Sequence, residues 1–159
     1  MKRLLAPLTL VAGLLGLPLA GHAQGAIPDG VWLTQDRDAH VRIANCGDAL
    51  CGTIIWIKDP IDPETDRPLT DKRNPDPAKR ERSVVGTTIM FGMRPSGAGR
   101  WSGRFYNTRD GQTYEGNLIV TGDATVKAEG CMIICMGETW QKIDAPRPAA
   151  AGKKKNGKA

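Results

Sequence analysis

Turn-forming residues divide residues 30–144 into short segments, and no segment has the period of an amphipathic helix. The dipeptide Asp110-Gly111 is a strong hairpin signal, and similar turns recur along the chain. Within the segments apolar and polar side chains alternate, so that Val41 and Ile43 share one face and Arg42 lies on the other. This pattern predicts an all-β fold, a single antiparallel up-and-down β-barrel of about eight strands, with a small β-sandwich as the alternative.

The first and last predicted strands each carry a tryptophan. The first strand opens with Gly30-Val31-Trp32, and in the last strand Trp140 is followed two residues later by Lys142. We expect these two strands to lie side by side and close the sheet into a cylinder. Trp32 would then pack at the closure, with Trp140 and Lys142 in structural roles.

Residues 1–23 have the layout of a secretory signal peptide. Two cations precede an apolar core over residues 8–19, and small residues before the boundary predict cleavage after Ala23. The apolar core is too short to remain as a membrane anchor. We therefore expect an exported chain, periplasmic or secreted, that does not span a membrane.

Residues 145–159 are rich in Ala, Pro, Gly and Lys, and this composition predicts a disordered basic tail. The single domain is then residues 24–144. Leader and tail together hold seven Lys and Arg residues, and without them the formal net charge of +5 becomes −2. The folded part is therefore not expected to bind nucleic acid. The tail either contacts an anionic envelope surface or is only a solubilising end.

Four cysteines form two close pairs, Cys46 with Cys51 and Cys131 with Cys135. In an exported chain such cysteines are expected to form disulfides. Four cysteines allow three pairings, and we favour the two local ones because each spans a hairpin-sized segment. A zinc site is the alternative, although neither pair has the two-residue gap of a zinc ribbon.

A proline-rich loop over residues 58–83 interrupts the regular strand spacing. Loops of this length within a compact domain are uncommon and often functional, and we expect an ordered flap lying over the sheet. Pro77 stands where a short helical turn could begin. The loop also holds several carboxylates, but their spacing does not fit a calcium-binding loop, so no metal site is predicted.

Two resemblances follow from these residues. The Gly-x-Trp opening and the Trp140-x-Lys142 closing are similar to the signature of lipocalin-type (calycin) barrels, in which a basic side chain of the last strand covers a first-strand tryptophan. Nearly the whole mature chain resembles an uncharacterised family of exported bacterial proteins, the domain of unknown function 2147 (DUF2147). The residues that carry this resemblance are Gly30-Val31-Trp32, Val41-Arg42-Ile43, Cys46-Gly47-Asp48-Ala49-Leu50-Cys51-Gly52, Pro68-Leu69-Thr70-Asp71, Asn74-Pro75-Asp76, Arg80-x-Arg82, Trp101-x-Gly103, Tyr106-Asn107, Asp110-Gly111-x-Thr113-Tyr114 and Gly130-Cys131…Cys135…Trp140.

The DUF2147 resemblance implies a bacterial, periplasmic, lipocalin-like barrel. It supplies no agreed activity, cofactor or catalytic residue. The Lys-rich tail is not part of the family pattern, and Lys142 stands where arginine is expected at least as often.

Catalytic motifs are missing from the sequence. The mature chain has one histidine, His40, no Gly-x-Ser-x-Gly elbow and no His-Glu-x-x-His motif. Bridged cysteines would leave no thiolate nucleophile. We therefore predict no catalytic residues, no cofactor and a protein that is not an enzyme; an activity that depends on His40 would contradict this.

Binding has better support, because apolar side chains of several strands would converge inside a closed barrel, either around a small ligand or as a solid core. These predicted ligand-binding residues are Trp56, Phe91, Met93, Trp101, Phe105 and Leu118. Arg42 and Arg104 are the candidate anchors for an acidic ligand head, with surface positions as the alternative.

The leading hypothesis is thus an exported barrel that binds a small apolar or amphipathic molecule. The runner-up is a module that contacts an envelope protein through the loop over residues 58–83.

Overall fold

The computed structural model describes residues 28–143, which form a barrel of short strands. The predicted leader and basic tail lie outside the described residues. The strands are β1 Gly30–Leu33, β2 Ala39–Cys46, β3 Ala49–Ile57, β4 Ile61–Asp62, β5 Arg67–Pro68, β6 Thr88–Gly97, β7 Arg100–Asn107, β8 Gln112–Gly122, β9 Thr125–Cys131 and β10 Cys135–Ile143. The one helical element in this part of the chain is a 3₁₀ turn over Pro77–Lys79.

Eight of the strands close into an antiparallel barrel in the order β1-β10-β9-β8-β7-β6-β3-β2. The remaining two, β4 and β5, form a separate small hairpin. The predicted all-β barrel is therefore confirmed, and the sandwich alternative is wrong. Closure comes from β1, which pairs with β10 so that Trp32 lies opposite Lys142.

Trp32 is buried at this closure, with 2% of its surface exposed. Its indole Nε1 donates a hydrogen bond to the carbonyl oxygen of Pro28 at 2.9 Å, which satisfies the one polar atom of a buried tryptophan. The Nζ of Lys142 lies 5.7 Å from the centre of the indole ring, within the range of a cation–π contact. The first and last strands thus meet as the sequence predicts.

The two ends of the barrel differ. We call the end with the β2–β3, β6–β7 and β8–β9 turns the closed end, and the end with the β1–β2, β7–β8 and β9–β10 turns the open end. The barrel core fills the middle and the closed end. Its members are buried apolar side chains of the inner face: Trp32, Val41, Ile43, Leu50, Met90, Met93, Trp101, Leu118, Val126, Ala128 and Trp140.

The connection from β3 to β6, residues 58–87, is the flap of this barrel. It is longer than predicted because β6 begins at Thr88. Within the flap, Asp76 caps the 3₁₀ turn by accepting a hydrogen bond from the backbone of Ala78. The flap also meets the β7–β8 turn, where a Cβ on Gly111 would overlap the carbonyl oxygen of Arg73. Only glycine permits this approach, and its φ of +74° also favours glycine.

Both local disulfides are present, Cys46–Cys51 and Cys131–Cys135. The predicted pairing is confirmed, and no free cysteine remains in residues 28–143. The two bridges lie at opposite ends of the barrel. Cys46–Cys51 spans the β2–β3 turn at the closed end, and Cys131–Cys135 spans the β9–β10 turn at the open end.

Candidate ligand-binding site

The open end of the barrel contains a cavity of about 820 Å³. Its border is formed by the β1–β2 turn, the flap and the β7–β8 hairpin, together with the facing ends of β9 and β10. This volume lies within the range of about 300–1,000 Å³ that is typical of small-molecule sites. The barrel is therefore packed at the closed end and hollow at the open end.

The wall of the cavity is mainly apolar because the apolar inner faces of the strands extend from the core to the open end. Strand β3 contributes Ile54 and Ile57, β6 contributes Ile89, and β7 contributes Phe105. Trp140, which is 3% exposed, lies at the boundary between cavity and core. Its ring meets Phe105 edge to face, with ring centres 6.4 Å apart and planes at 89°, a favourable arrangement for aromatic pairs.

One carboxylate faces the cavity from within the barrel. Glu138 precedes Trp140 by two residues on β10, and side chains two apart on a strand share a face. The strand register agrees, since Glu138 pairs with Ala128 and Trp140 pairs with Val126, both buried core residues. The Nε1 of Trp140 donates a hydrogen bond to Oε1 of Glu138 at 2.5 Å. The indole thereby orients a partly buried carboxylate in a mainly apolar wall.

A buried polar network attaches the flap to β7. The carboxylate of Asp71 is fully buried and accepts hydrogen bonds from Tyr106 Oη at 2.6 Å and Asn74 Nδ2 at 2.8 Å. Arg82 donates to the same carboxylate from Nε and Nη2, at 3.1 and 2.8 Å. Burial, and then the bond to Asp71, raise the pKa of Tyr106 to about 12. Because every member is satisfied, the network stabilises one position of the flap.

The attached flap contributes to the cavity wall. Leu69, Thr70 and Val84 line the cavity from the flap side. The backbone amide of Val84 donates to the carbonyl of Leu69 at 2.9 Å, which holds these two parts of the flap together. The flap thus extends the apolar interior of the barrel beyond the ends of its strands.

Comparison with known proteins agrees with this architecture. The family model described as "Uncharacterized protein conserved in bacteria (DUF2147)" matches residues 30–142. The chain belongs to the DUF2147 family. No functionally curated protein matches the sequence.

The DUF2147 barrel also resembles a solved structure, protein HP1028 from Helicobacter pylori, which is described as belonging to the lipocalin family. The two share 20% sequence identity with a TM-score of 0.62, over 73% of this chain and 82% of HP1028. At this identity the likeness shows a lipocalin-like fold.

The predicted ligand-binding residues occupy three different places in the DUF2147 barrel. Phe105 lines the cavity. Met93, Trp101 and Leu118 face inward as expected, but they belong to the packed core. Their depth along the barrel explains this, because they lie on the parts of β6, β7 and β8 nearer the closed end.

Two predicted interior aromatics face outward, and for these the expectation is wrong. Trp56 is 40% exposed and stacks on His40, with ring centres 4.4 Å apart. A bulge causes this: Val41 pairs with Ile54 but His40 pairs with Trp56, so the extra residue between them reverses the side-chain alternation. Burial lowers the pKa of His40, which lies on this outer face rather than in the cavity.

Phe91 is displaced by a second bulge. The pairing register between β6 and β7 shifts between Phe91 and Arg94, where Gly92 has a φ of +65°. Phe91 consequently pairs with Arg104 on the outer face, and the guanidinium lies 4.9 Å from the ring centre. Arg42 is also exposed on the outside of β2. Neither arginine predicted to anchor an acidic head faces the cavity.

The sequence interpretation missed several cavity residues, chiefly Ile54, Ile89, Glu138 and the flap residues Leu69 and Val84. Glu138 had a usable signal, because it precedes by two residues Trp140, which was predicted to have a structural role at the closure. The flap residues had none, since the contacts that place them are long-range. Residues 28–143 contain no cluster of three or more metal-ligating side chains, and the same range contains no helix with the length and hydropathy needed to cross a bilayer.

Proposed function

We propose that this protein is an exported, non-enzymatic carrier that binds one small apolar or amphipathic molecule in the open end of its barrel. The observation that supports the proposal most directly is the cavity of about 820 Å³. Small barrels either fill their interior with side chains or hold a ligand. This barrel is filled with side chains at the closed end and leaves room for a ligand at the open end. Two disulfides are compatible with export into an oxidising compartment.

The flap supports the same function rather than the runner-up, contact with an envelope protein through residues 58–83. Its apolar residues Leu69 and Val84 face the cavity, and its Asp71 and Asn74 are used in the network with Tyr106. Its most distinctive side chains are thus engaged inside the molecule. Deleting the flap should reduce ligand binding; loss of a protein partner with ligand binding intact would favour the runner-up.

Native mass spectrometry of the protein purified from the envelope of its own bacterium tests the proposal. We expect a co-purifying small molecule that is released on denaturation, and a mature chain that begins at Gln24 if the predicted leader is removed. A barrel that never carries such a molecule and binds no apolar probe would contradict the proposal.

A cavity-filling variant makes the test specific. Gly130 lines the cavity, and a Cβ there would meet only Tyr114 atoms at 3.6 and 3.9 Å, which is ordinary contact. Gly130→Leu should therefore fold while occupying part of the cavity, and ligand affinity should fall at least about tenfold, because a misfit in a pocket readily costs more than about 1.4 kcal/mol. Gly97→Leu is the matched control, since Gly97 lies at the closed end with its nearest neighbour atom 3.8 Å away.

A further inference from the structure

Glu138 gives the cavity a chemical preference that its apolar wall does not have. It lies on the inner face of β10, lines the cavity, and is hydrogen-bonded to Trp140 of the edge-to-face pair with Phe105. A carboxylate in such surroundings loses part of its hydration, which is costly unless a partner replaces the water. A bound molecule with a cationic donor would supply that partner.

The hydrogen bond from Trp140 leaves capacity for such a donor. An ionised carboxylate has two oxygens with about four lone-pair sites in all, and the indole N–H uses one of them, on Oε1. Because Trp140 is almost fully buried, the bond also fixes the direction in which the carboxylate faces. Glu138 is thus oriented before any ligand arrives, which reduces the ordering cost of binding.

Several charged side chains at the border of the cavity are already paired. Arg109 forms an ion pair with Asp38 at 2.6 Å, and Lys72 lies 3.5 Å from Asp62. Glu129 is paired with Lys127 at 2.6 Å. Each of these pairs is internally neutral and contributes little net field.

The charged side chains that remain around the cavity are Asp36, Asp59 and Glu138 against Arg73. The border therefore has a net negative charge, although the whole chain is formally cationic at +5. The two arginines that the sequence suggested as anchors for an acidic ligand head, Arg42 and Arg104, lie on the outer face, and Arg73 at the border is exposed. An acidic head entering the cavity would approach Glu138 and would lose its own hydration without gaining a buried cation.

We propose that the ligand is an amphipathic cation, an amine or guanidine on an apolar body, whose charged group pairs with Glu138 while the apolar part packs on Ile54, Phe105 and Trp140. This inference rests on the proposed ligand-binding function and adds the class of ligand to it. Hydrogen bonds between ionised partners are roughly twice as strong as neutral ones, so Glu138 selects among ligands of equal apolar size.

Isothermal titration calorimetry at pH 7 with three probes of one chain length tests the proposal: octylammonium, octanol and octanoate. Wild-type protein should bind octylammonium about tenfold more tightly than octanoate, with octanol between them. Glu138→Gln should lower octylammonium affinity about tenfold and change octanol affinity much less. The side-chain amide oxygen in this variant can still accept from Trp140, so the variant should fold, which its thermal melting checks.

Asp123→Asn is the matched control, because it removes the same charge from the exposed β8–β9 turn at the closed end. It should leave all three affinities unchanged. Octanoate binding as tightly as octylammonium, or octylammonium binding that is insensitive to Glu138→Gln, overturns this inference while the carrier function stands. If none of the three probes binds wild-type protein, the carrier function fails and the inference fails with it. The ranking of the probes on wild-type protein decides the matter even if the variant does not fold.

Discussion

The closed and open halves of this barrel are built from the same strands but use their inner faces differently. Toward the closed end, Trp101 of β7 and Leu118 of β8 are buried in a continuous core. Toward the open end, the same strands β7 and β8 present Phe105 and Tyr114 to a cavity. The difference shows that side-chain alternation decides which residues face inward, whereas height along the barrel decides whether an inward residue stabilises the fold or meets a ligand.

The two disulfide-bridged hairpins also differ between the closed end and the open end, in the polarity of their tips. The tip at the closed end is polar, and its Asp48 forms an exposed ion pair with Arg94, which lowers the pKa of Asp48. The tip at the open end is apolar, with Ile133 98% exposed between the bridged cysteines. Apolar surface is thus concentrated at the end where the cavity lies.

The largest expected effect is the difference in stability lost when the same substitution is made in the closed half and in the open half. Leu118→Ala should lower the free energy of unfolding by about 2–5 kcal/mol, the usual cost of a cavity made in a packed core. Leu69→Ala, the same substitution in the flap, should cost less than about 1 kcal/mol because Leu69 is half-buried beside an existing cavity. Guanidinium denaturation of ligand-free protein measures both values. Equal losses would show that the two halves are packed alike and would contradict the comparison.

The network that attaches the flap should give the next largest effect. Tyr106→Phe removes the donor to Asp71 at 2.6 Å and the acceptor for Asn74 at 3.0 Å, leaving buried polar groups with fewer partners. We expect a loss of about 1–3 kcal/mol at pH 7, measured by urea denaturation. Tyr114→Phe is the control at the open end, and its loss should be much smaller because the Tyr114 side chain is only partly buried.

The same variant has a predictable pH dependence. The pKa of Tyr106 is raised to about 12 in the folded protein, above the value of about 10 for an unfolded tyrosine. Its protonated form therefore contributes stability that is fully present below about pH 10 and is lost as pH rises from about 10 to about 12. The difference between wild type and Tyr106→Phe should shrink across this window. A difference that stays constant to about pH 12 would show that Tyr106 ionises in the same way in both states.

Much of the fold could be predicted because it depends on local pattern. The two-residue period places Trp101 and Leu118 inward, and short spacing selects the pairs Cys46–Cys51 and Cys131–Cys135. The candidate site could be predicted only in part, for two physical reasons. A bulge adds one residue and reverses all later side chains on its strand, and the bulges beside Trp56 and at Gly92 turned two expected interior aromatics outward.

The second reason is that the cavity depends on long-range contacts. Asp71 reaches Tyr106 across 35 residues of sequence, and this contact places Leu69 and Val84 over the open end. Sequence spacing within the flap contains no signal of that distance. Only the inward carboxylate Glu138 could have been found, by extending the alternation backward from Trp140.

The smallest expected effect concerns the seam between β1 and β10, where Lys142 covers Trp32 at the closed end. The lysine stem also lies against Gly30, where a Cβ would come within 2.9 Å of Lys142 Cε. Lys142→Met keeps the apolar stem and removes the charge, and should cost about 0.5 kcal/mol, the value of an exposed cation–π contact. Lys142→Arg keeps the cation and should retain most of the stability that Lys142→Met loses. The expected loss is small because Trp32 already has its packing and its hydrogen bond to Pro28. A loss of several kcal/mol in Lys142→Met would contradict this expectation. It would show that the cation, rather than the core beneath it, closes the barrel.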